Sequence, residues 1–204
     1  MDFVKEFAIF LQESGAIKFG NFKLSSGKDS AYYIDLRLVP SYPNQFRKMV
    51  KALQNLISEK TGLDSFDCIA SVPTSGLVIA SALSFETVKP LIYIRQKPKD
   101  YGTGSVIEGK VSEGSRILLI DDVGTTGLSL LNAIKALKDT KMVVTTAFVI
   151  VNRFEGAREL LASEDVKLYE LTDVLTISNT LHDAKLLDEQ TLSRIKKQMS
   201  LSDV

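Results

Sequence analysis

Arg116-Ile-Leu-Leu-Ile-Asp-Asp-Val-Gly-Thr-Thr-Gly-Leu-Ser129 decides the fold. Residues 116–120 read as a strongly apolar, buried strand, and the strand ends in two adjacent carboxylates, Asp121 and Asp122. Val123 leads into a loop of Gly124, Thr125, Thr126 and Gly127, followed by Leu128 and Ser129. A helix over 126–137 turns Leu130, Leu131, Ile134 and Leu137 inward. Small residues let a backbone approach a ligand closely. The amides of a helix start point at an anion, and Thr and Ser hydroxyls add donors. The loop therefore suits a phosphate monoester. The carboxylates precede it by a few ångströms, where they can accept hydrogen bonds from sugar hydroxyls or stabilise positive charge on a ribose ring. A plainer reading makes them strand-end acids that cap a helix. The coincidence of acid pair, phosphate-type loop and helix start favours the functional one.

Outward from this unit, strands and helices alternate. Strands are predicted over 66–72, 90–94, 142–151 and 166–171, with a further possible strand over 105–111. Helices are predicted over 76–85 and 155–162. Such alternation predicts an α/β protein with a parallel sheet covered on both faces. Its ligand site belongs beyond the C-terminal strand ends, near a switch in strand order. Before the alternation lie an amphipathic helix over 2–14, short strands and turns over 15–37, and a helix from Asn44 closed by Gly62. A C-terminal helix carries Leu186, Leu187, Leu192, Ile195 and Met199.

The chain has 204 residues, which allows one domain, or at most two small ones, and a folded monomer of this mass buries roughly 70% of its unfolded surface. Lys and Arg number 25 and Asp and Glu number 25, so no basic excess points to nucleic acid. The single cysteine, Cys68, excludes an internal disulfide framework and a Cys-cluster zinc site, and it reads as a small buried hydrophobe. The single histidine, His182, excludes His-rich metal motifs and reads as a surface or capping group. No apolar run approaches the ~20 residues of a membrane span, and the N-terminus lacks a signal-peptide pattern. A cytoplasmic protein is expected.

Spelling excludes three other sites. Gly-x-x-x-x-Gly-Lys-Ser/Thr is absent, and Gly102 and Gly104 lack the third glycine of the dinucleotide fingerprint, because Ile107 stands there. Gly-x-Ser-x-Gly is absent as well.

The 117–127 segment resembles the phosphoribosyl pyrophosphate (PRPP) motif of type I phosphoribosyltransferases. Three other segments resemble orotate phosphoribosyltransferases in particular. They are Phe22-Lys-Leu-Ser-Ser-Gly-Lys-Asp-Ser-Ala-Tyr-Tyr-Ile-Asp-Leu-Arg37, Arg95-Gln-Lys-Pro-Lys-Asp-Tyr-Gly-Thr-Gly104 running on to Gly109, and Val151-Asn-Arg-Phe-Glu-Gly156. Together the matches run from about residue 15 to residue 156.

The resemblance implies the type I phosphoribosyltransferase fold: a central, mostly parallel sheet flanked by helices, with a small N-terminal hood. A single domain would comprise a helix and hood over about 1–40, a core sheet over about 41–175 and C-terminal helices over about 176–204. The implied activity transfers 5-phosphoribosyl from PRPP to orotate in pyrimidine nucleotide synthesis. The implied catalytic residues are Lys99, Asp121 and Asp122. PRPP would meet Arg95, Gln96, Lys99, Tyr101 and residues 121–129. Orotate would meet Lys23, Tyr32, Tyr33, Thr125 and Arg153, whose guanidinium fork matches a carboxylate as lysine cannot. Tyr32 and Tyr33 also admit a reading as hood packing. Gln96, Tyr101 and Ser75 replace lysine, histidine and lysine of common family spellings, and Lys97 offers a compensating charge. Mg2+ would enter with PRPP, without a protein cage. A homodimer would share loop 95–104 between subunits. Two other readings stay open: a phosphoribosyltransferase for another base, and a regulator that keeps the fold and binds nucleotide or RNA.

Overall fold

The computed structural model describes residues 3–23, 27, 29–95 and 106–200. Helix α1 (Phe3–Glu13) leads to a hairpin of β1 (Ile17–Lys23) and β2 (Asp29–Ile34), which forms a separate antiparallel sheet, the hood. A 3₁₀ turn (Leu36–Ser41) connects it to α2 (Pro43–Lys60). The alternating part comprises β3 (Cys68–Ser71), α3 (Ser75–Thr87), β4 (Leu91–Ile94), β5 (Ile107–Glu108), β6 (Arg116–Gly124), α4 (Leu128–Asp139), β7 (Val143–Asn152), α5 (Ala157–Ala162) and β8 (Lys167–Asp173). Helices α6 (Val174–Asp183) and α7 (Glu189–Ser200) complete the described chain.

The main sheet has the order β5-β4-β3-β6-β7-β8 and is parallel except for β5. Side-chain alternation divides the core. Leu118, Ile120, Phe148 and Ile150 face a cluster with α1, α2, α3, α6 and α7, whereas Ile117, Leu119, Ala147 and Val149 face α4 and α5. Each fully buried aliphatic side chain of this kind contributes about 1.5–3 kcal/mol. From β3 the chain winds through α3 to β4 on one side; from β6 it winds through α4 and β7 to β8 on the other. The winding direction therefore reverses between β3 and β6. The crevice beyond their C-terminal ends is where such sheets bind ligands, and it is formed by residues 73–76 and 121–127.

Four expectations need correction. Strand β6 does not stop at residue 120: Asp121, Val123 and Gly124 pair with Val149, Val151 and Asn152, because β7 stays apolar to Val151 and templates the pairing. Helix α4 starts at Leu128, not 126, because Gly127 has φ +80°, outside the helical region. Only Ile107 and Glu108 of the expected 105–111 strand pair with β4, and Ser105 lies outside the described residues. Finally, Leu186 and Leu187, expected within a C-terminal helix, lie in the connection between α6 and α7.

Candidate active site at the sheet's switch point

Because β6 extends past Ile120, the acid doublet is held in a hydrogen-bonded strand rather than in a loop. Asp121 Oδ1 accepts the Asp122 amide at 2.9 Å. On the neighbouring strand, Ser71 Oγ donates to Ile120 O at 2.7 Å and is fully buried. The first turn of α3 closes over this point. A Cβ on Gly76 would lie 2.5 Å from Asp121 Oδ1, 2.8 Å from Ser71 Oγ and 2.9 Å from Asp121 Cα. Only glycine fits there. This crowding strips water from the Asp121 carboxyl, and Asp122 adds like-charge repulsion; together they raise its pKa well above the usual carboxylate range.

Residues 124–127 join β6 to α4. Gly124 O accepts the Arg153 amide at 2.9 Å and Thr125 O accepts the Ala157 amide at 3.0 Å, so the loop is tied to the segment after β7. A Cβ at Gly127 would meet Ala157 Cα at 3.0 Å. Among the described residues no side chain caps the start of helix α4, and its first turn holds no acid. The positive end of its dipole is thus left for a ligand. Leu128 and Ser129 are exposed, whereas Thr125 and Thr126 are half-buried.

The other predicted residues surround this centre unevenly. Arg95 lines a cavity of about 460 Å³ together with Val72, Ser129 and Asn132, so it does converge on the start of α4. Its Nη1 lies 3.4 Å from Glu108 Oε1. Lys23 is exposed at the end of β1. The two tyrosines diverge. Tyr33 is partly exposed, 5.8 Å from Phe22 between ring centroids, and its hydroxyl accepts from Arg37 Nη2 at 3.2 Å. Tyr32 is wholly buried, with the Arg153 guanidinium 4.7 Å from its ring centre. Arg153 itself is 6% exposed and lies 2.7 Å from Glu155 Oε1. Gln96, Lys97, Lys99 and Tyr101, with Gly102 and Gly104, lie outside the described residues.

Four residues near the site were given no role from the sequence, although Ser30, Arg37 and Glu155 lie within the quoted segments. Gly76 could have been suspected from the Pro-Thr-Ser-Gly turn after a strand, yet nothing in that spelling shows its contact with Asp121. Arg37 grips Asp35 through Nε at 2.6 Å and Nη2 at 2.8 Å while reaching Tyr33, an arrangement made by the unexpected 3₁₀ turn. Ser30 and Glu155 reach Arg153 from the hood and from the residue before Gly156.

A crossover sheet with an acid doublet at its switch point and an uncapped helix start beside it defines a phosphoribosyltransferase. The phosphoribosyl transferase domain family matches residues 43–180. More narrowly, the chain belongs to the orotate phosphoribosyltransferase family. It is 47% identical over 196 residues to the orotate phosphoribosyltransferase of Cenarchaeum symbiosum, covering 96% of this chain and 98% of that one. The crystal structure of orotate phosphoribosyltransferase from Aeropyrum pernix is 36% identical, with a TM-score of 0.79 over 86% of this chain and 98% of that one. Leishmania donovani UMP synthase is 30% identical with a TM-score of 0.84; the match covers 97% of this chain and 42% of that longer one.

Proposed function

We propose that this enzyme transfers 5-phosphoribosyl from PRPP to N1 of orotate, giving orotidine 5′-monophosphate and pyrophosphate in pyrimidine nucleotide synthesis. The observation that carries this reading is the acid doublet fixed in β6 beside the open start of α4. Residues 124–129 receive the 5′-phosphate through amides and hydroxyls. Asp121 and Asp122 face the ribose, where their negative charge stabilises the cation that develops at the anomeric carbon as pyrophosphate leaves. Arg95 and Lys99 address the pyrophosphate, with Gln96 and Tyr101 as neutral hydrogen-bonding groups beside them. Arg153, Lys23, Tyr32, Tyr33 and Thr125 form the base site, and the fixed charge of Arg153 selects a carboxylate-bearing base.

Magnesium accompanies PRPP. In this reading pyrophosphate and ribose oxygens, with waters, hold the ion, which keeps several waters as magnesium usually does. When bound, the ion neutralises pyrophosphate charge.

The active unit in this reading is a homodimer that shares loop 95–104. Helix α3 is apolar on nearly every side, yet Val78 on it is 42% exposed, Phe85 is 85% exposed, and Val88 just beyond it is 89% exposed. An all-round apolar helix is normally covered. Among the described residues no helix is long and apolar enough to cross a membrane. A cytoplasmic location is part of the same reading.

Incubation with PRPP, magnesium and single bases tests the assignment. Orotate should lose its near-ultraviolet absorbance while pyrophosphate is released. Turnover of hypoxanthine or uracil in its place would assign another base, and nucleotide binding without turnover would assign a regulator.

A further inference from the structure

The environment of Arg153 contains an oddity that substrate binding alone does not explain. Its guanidinium is buried between the Tyr32 ring and Glu155, and the side chains of Arg153 and Glu155 are only 7% and 14% exposed. The Nη2–Oε1 separation is 2.7 Å, so the charges compensate each other closely. The directional bonding nevertheless stays open. Arg153 Nε, Glu155 Oε1 and the Tyr32 hydroxyl are all buried, and among the described residues none has a properly aligned hydrogen-bond partner. Ser30 Oγ, at 3.5 Å from Nη2, is a further polar contact, and it is long. A buried polar atom without a partner is costly to the folded chain. Two of these atoms, Arg153 Nε and the Tyr32 hydroxyl, are donors, and they mark a place where a ligand oxygen supplies what the described residues withhold.

We propose that Glu155 is an internal counter-anion that stands in for the substrate's carboxylate in the free enzyme and opposes it in the complex. The inference rests on the orotate assignment above and deepens it. Without ligand, the buried cation needs a neighbouring negative charge. Glu155 provides the charge but not the alignment. A planar ligand carboxylate provides both, because a guanidinium fork accepts a second anion with parallel hydrogen bonds. Once it binds, two carboxylates share one cation, and Glu155 becomes a repulsive neighbour.

Thermodynamic linkage gives the test a signature that a merely structural role lacks. Glu155→Gln should lower the melting temperature of the free enzyme, because Arg153 loses its counter-charge. It should also tighten orotate about tenfold by calorimetry, and saturating orotate should raise the melting temperature more than in the parent enzyme. Glu155→Asp, which keeps the charge, should retain parent-like affinity. The neutral 6-carboxamide of uracil should bind both Gln variant and parent equally. A Gln variant that is destabilised but binds orotate equally or more weakly overturns the proposal, as does equal tightening of the carboxamide. If the Gln variant does not fold without ligand, orotate-dependent folding supports the proposal and a failure to fold in saturating orotate overturns it. A parent enzyme that binds no orotate overturns the assignment of substrate, and this inference with it.

Discussion

Gly76→Ala tests whether the acid doublet is placed by backbone packing. The added methyl would sit 2.5 Å from Asp121 Oδ1, with Asp121 Cα 2.9 Å away and Ser71 Oγ 2.8 Å away. Ordinary contact with the carboxylate oxygen requires withdrawal by about 0.9 Å. The carboxylate cannot simply rotate clear, because the contact at Cα concerns the strand itself. Asp121 is moreover paired to Val149 in the sheet and bonded to the Asp122 amide. Overpacking of this kind costs about 1–3 kcal/mol. For a chain of this length that corresponds to a fall in melting temperature of roughly 2–12 °C. A catalytic group misplaced by ~1 Å costs about 10²-fold in rate. The expected result is therefore a folded enzyme with kcat reduced about a hundredfold and KM for orotate nearly unchanged, since Arg153 and the hood are untouched. Initial-rate kinetics and a thermal melt measure both effects. A Gly76→Ala enzyme with parental kcat would refute the idea that close backbone approach fixes the acids. A loss confined to orotate KM would place Gly76 in the base site instead.

Three further outcomes are expected. Asp121→Asn should raise stability at pH 7 while turnover falls. The native state raises this carboxyl's pKa above its unfolded value, so its stabilising contribution is present below the unfolded range and is lost as pH rises through the folded value. Thermal melts from pH 4 to 8 should show the Asn variant gaining on the parent as pH rises, and a gap that shrinks instead would contradict the burial argument. Lys99→Ala should lower kcat by about 10²–10³, whereas Lys97→Ala should raise KM for PRPP alone; parental PRPP kinetics in the latter would remove Lys97 as a compensating charge. Replacing both Phe85 and Val88 by Asp should convert a dimer to a monomer in light scattering, and an unchanged mass would place the subunit contact elsewhere.

Much of the fold is legible in the order of residues because its signals are local. The apolar run at 117–120, the stripe of α2 and the turn glycines state their elements directly. What escapes is set by partners distant in sequence. Asp121 to Gly124 join β6 only because β7 remains a strand through Asn152. Helix α6 has an apolar stripe at Val174, Ile177 and Leu181 and an Asp173 cap that accepts the Thr176 amide at 2.8 Å. Its Thr, Ser and Asn content lowers intrinsic helix preference and hides it. At the site, the residue types that carry chemistry are visible in the motifs, but their relations are not. Tyr32 and Tyr33 are adjacent in sequence and opposite in fate, because strand alternation sends one into the core under Arg153 and leaves the other on the hood's open face. The packing reading of the pair thus fits Tyr32, which is wholly buried.

The features least favourable to the free protein gather at the site and have a common electrostatic form. Asp121 keeps a carboxyl where burial and Asp122 both resist its charge. The start of α4 keeps its amides without a cap. Arg153 keeps a buried guanidinium whose Nε has no acceptor among the described residues. In the proposed reading these groups meet, in turn, the ribosyl cation, the 5′-phosphate and the base carboxylate. Side chains that relaxed onto one another would have to be pulled apart before reaction, at a cost in rate. Groups held unsatisfied by strand pairing, by Gly76 and by Gly127 are already aimed, so folding supplies the alignment in advance.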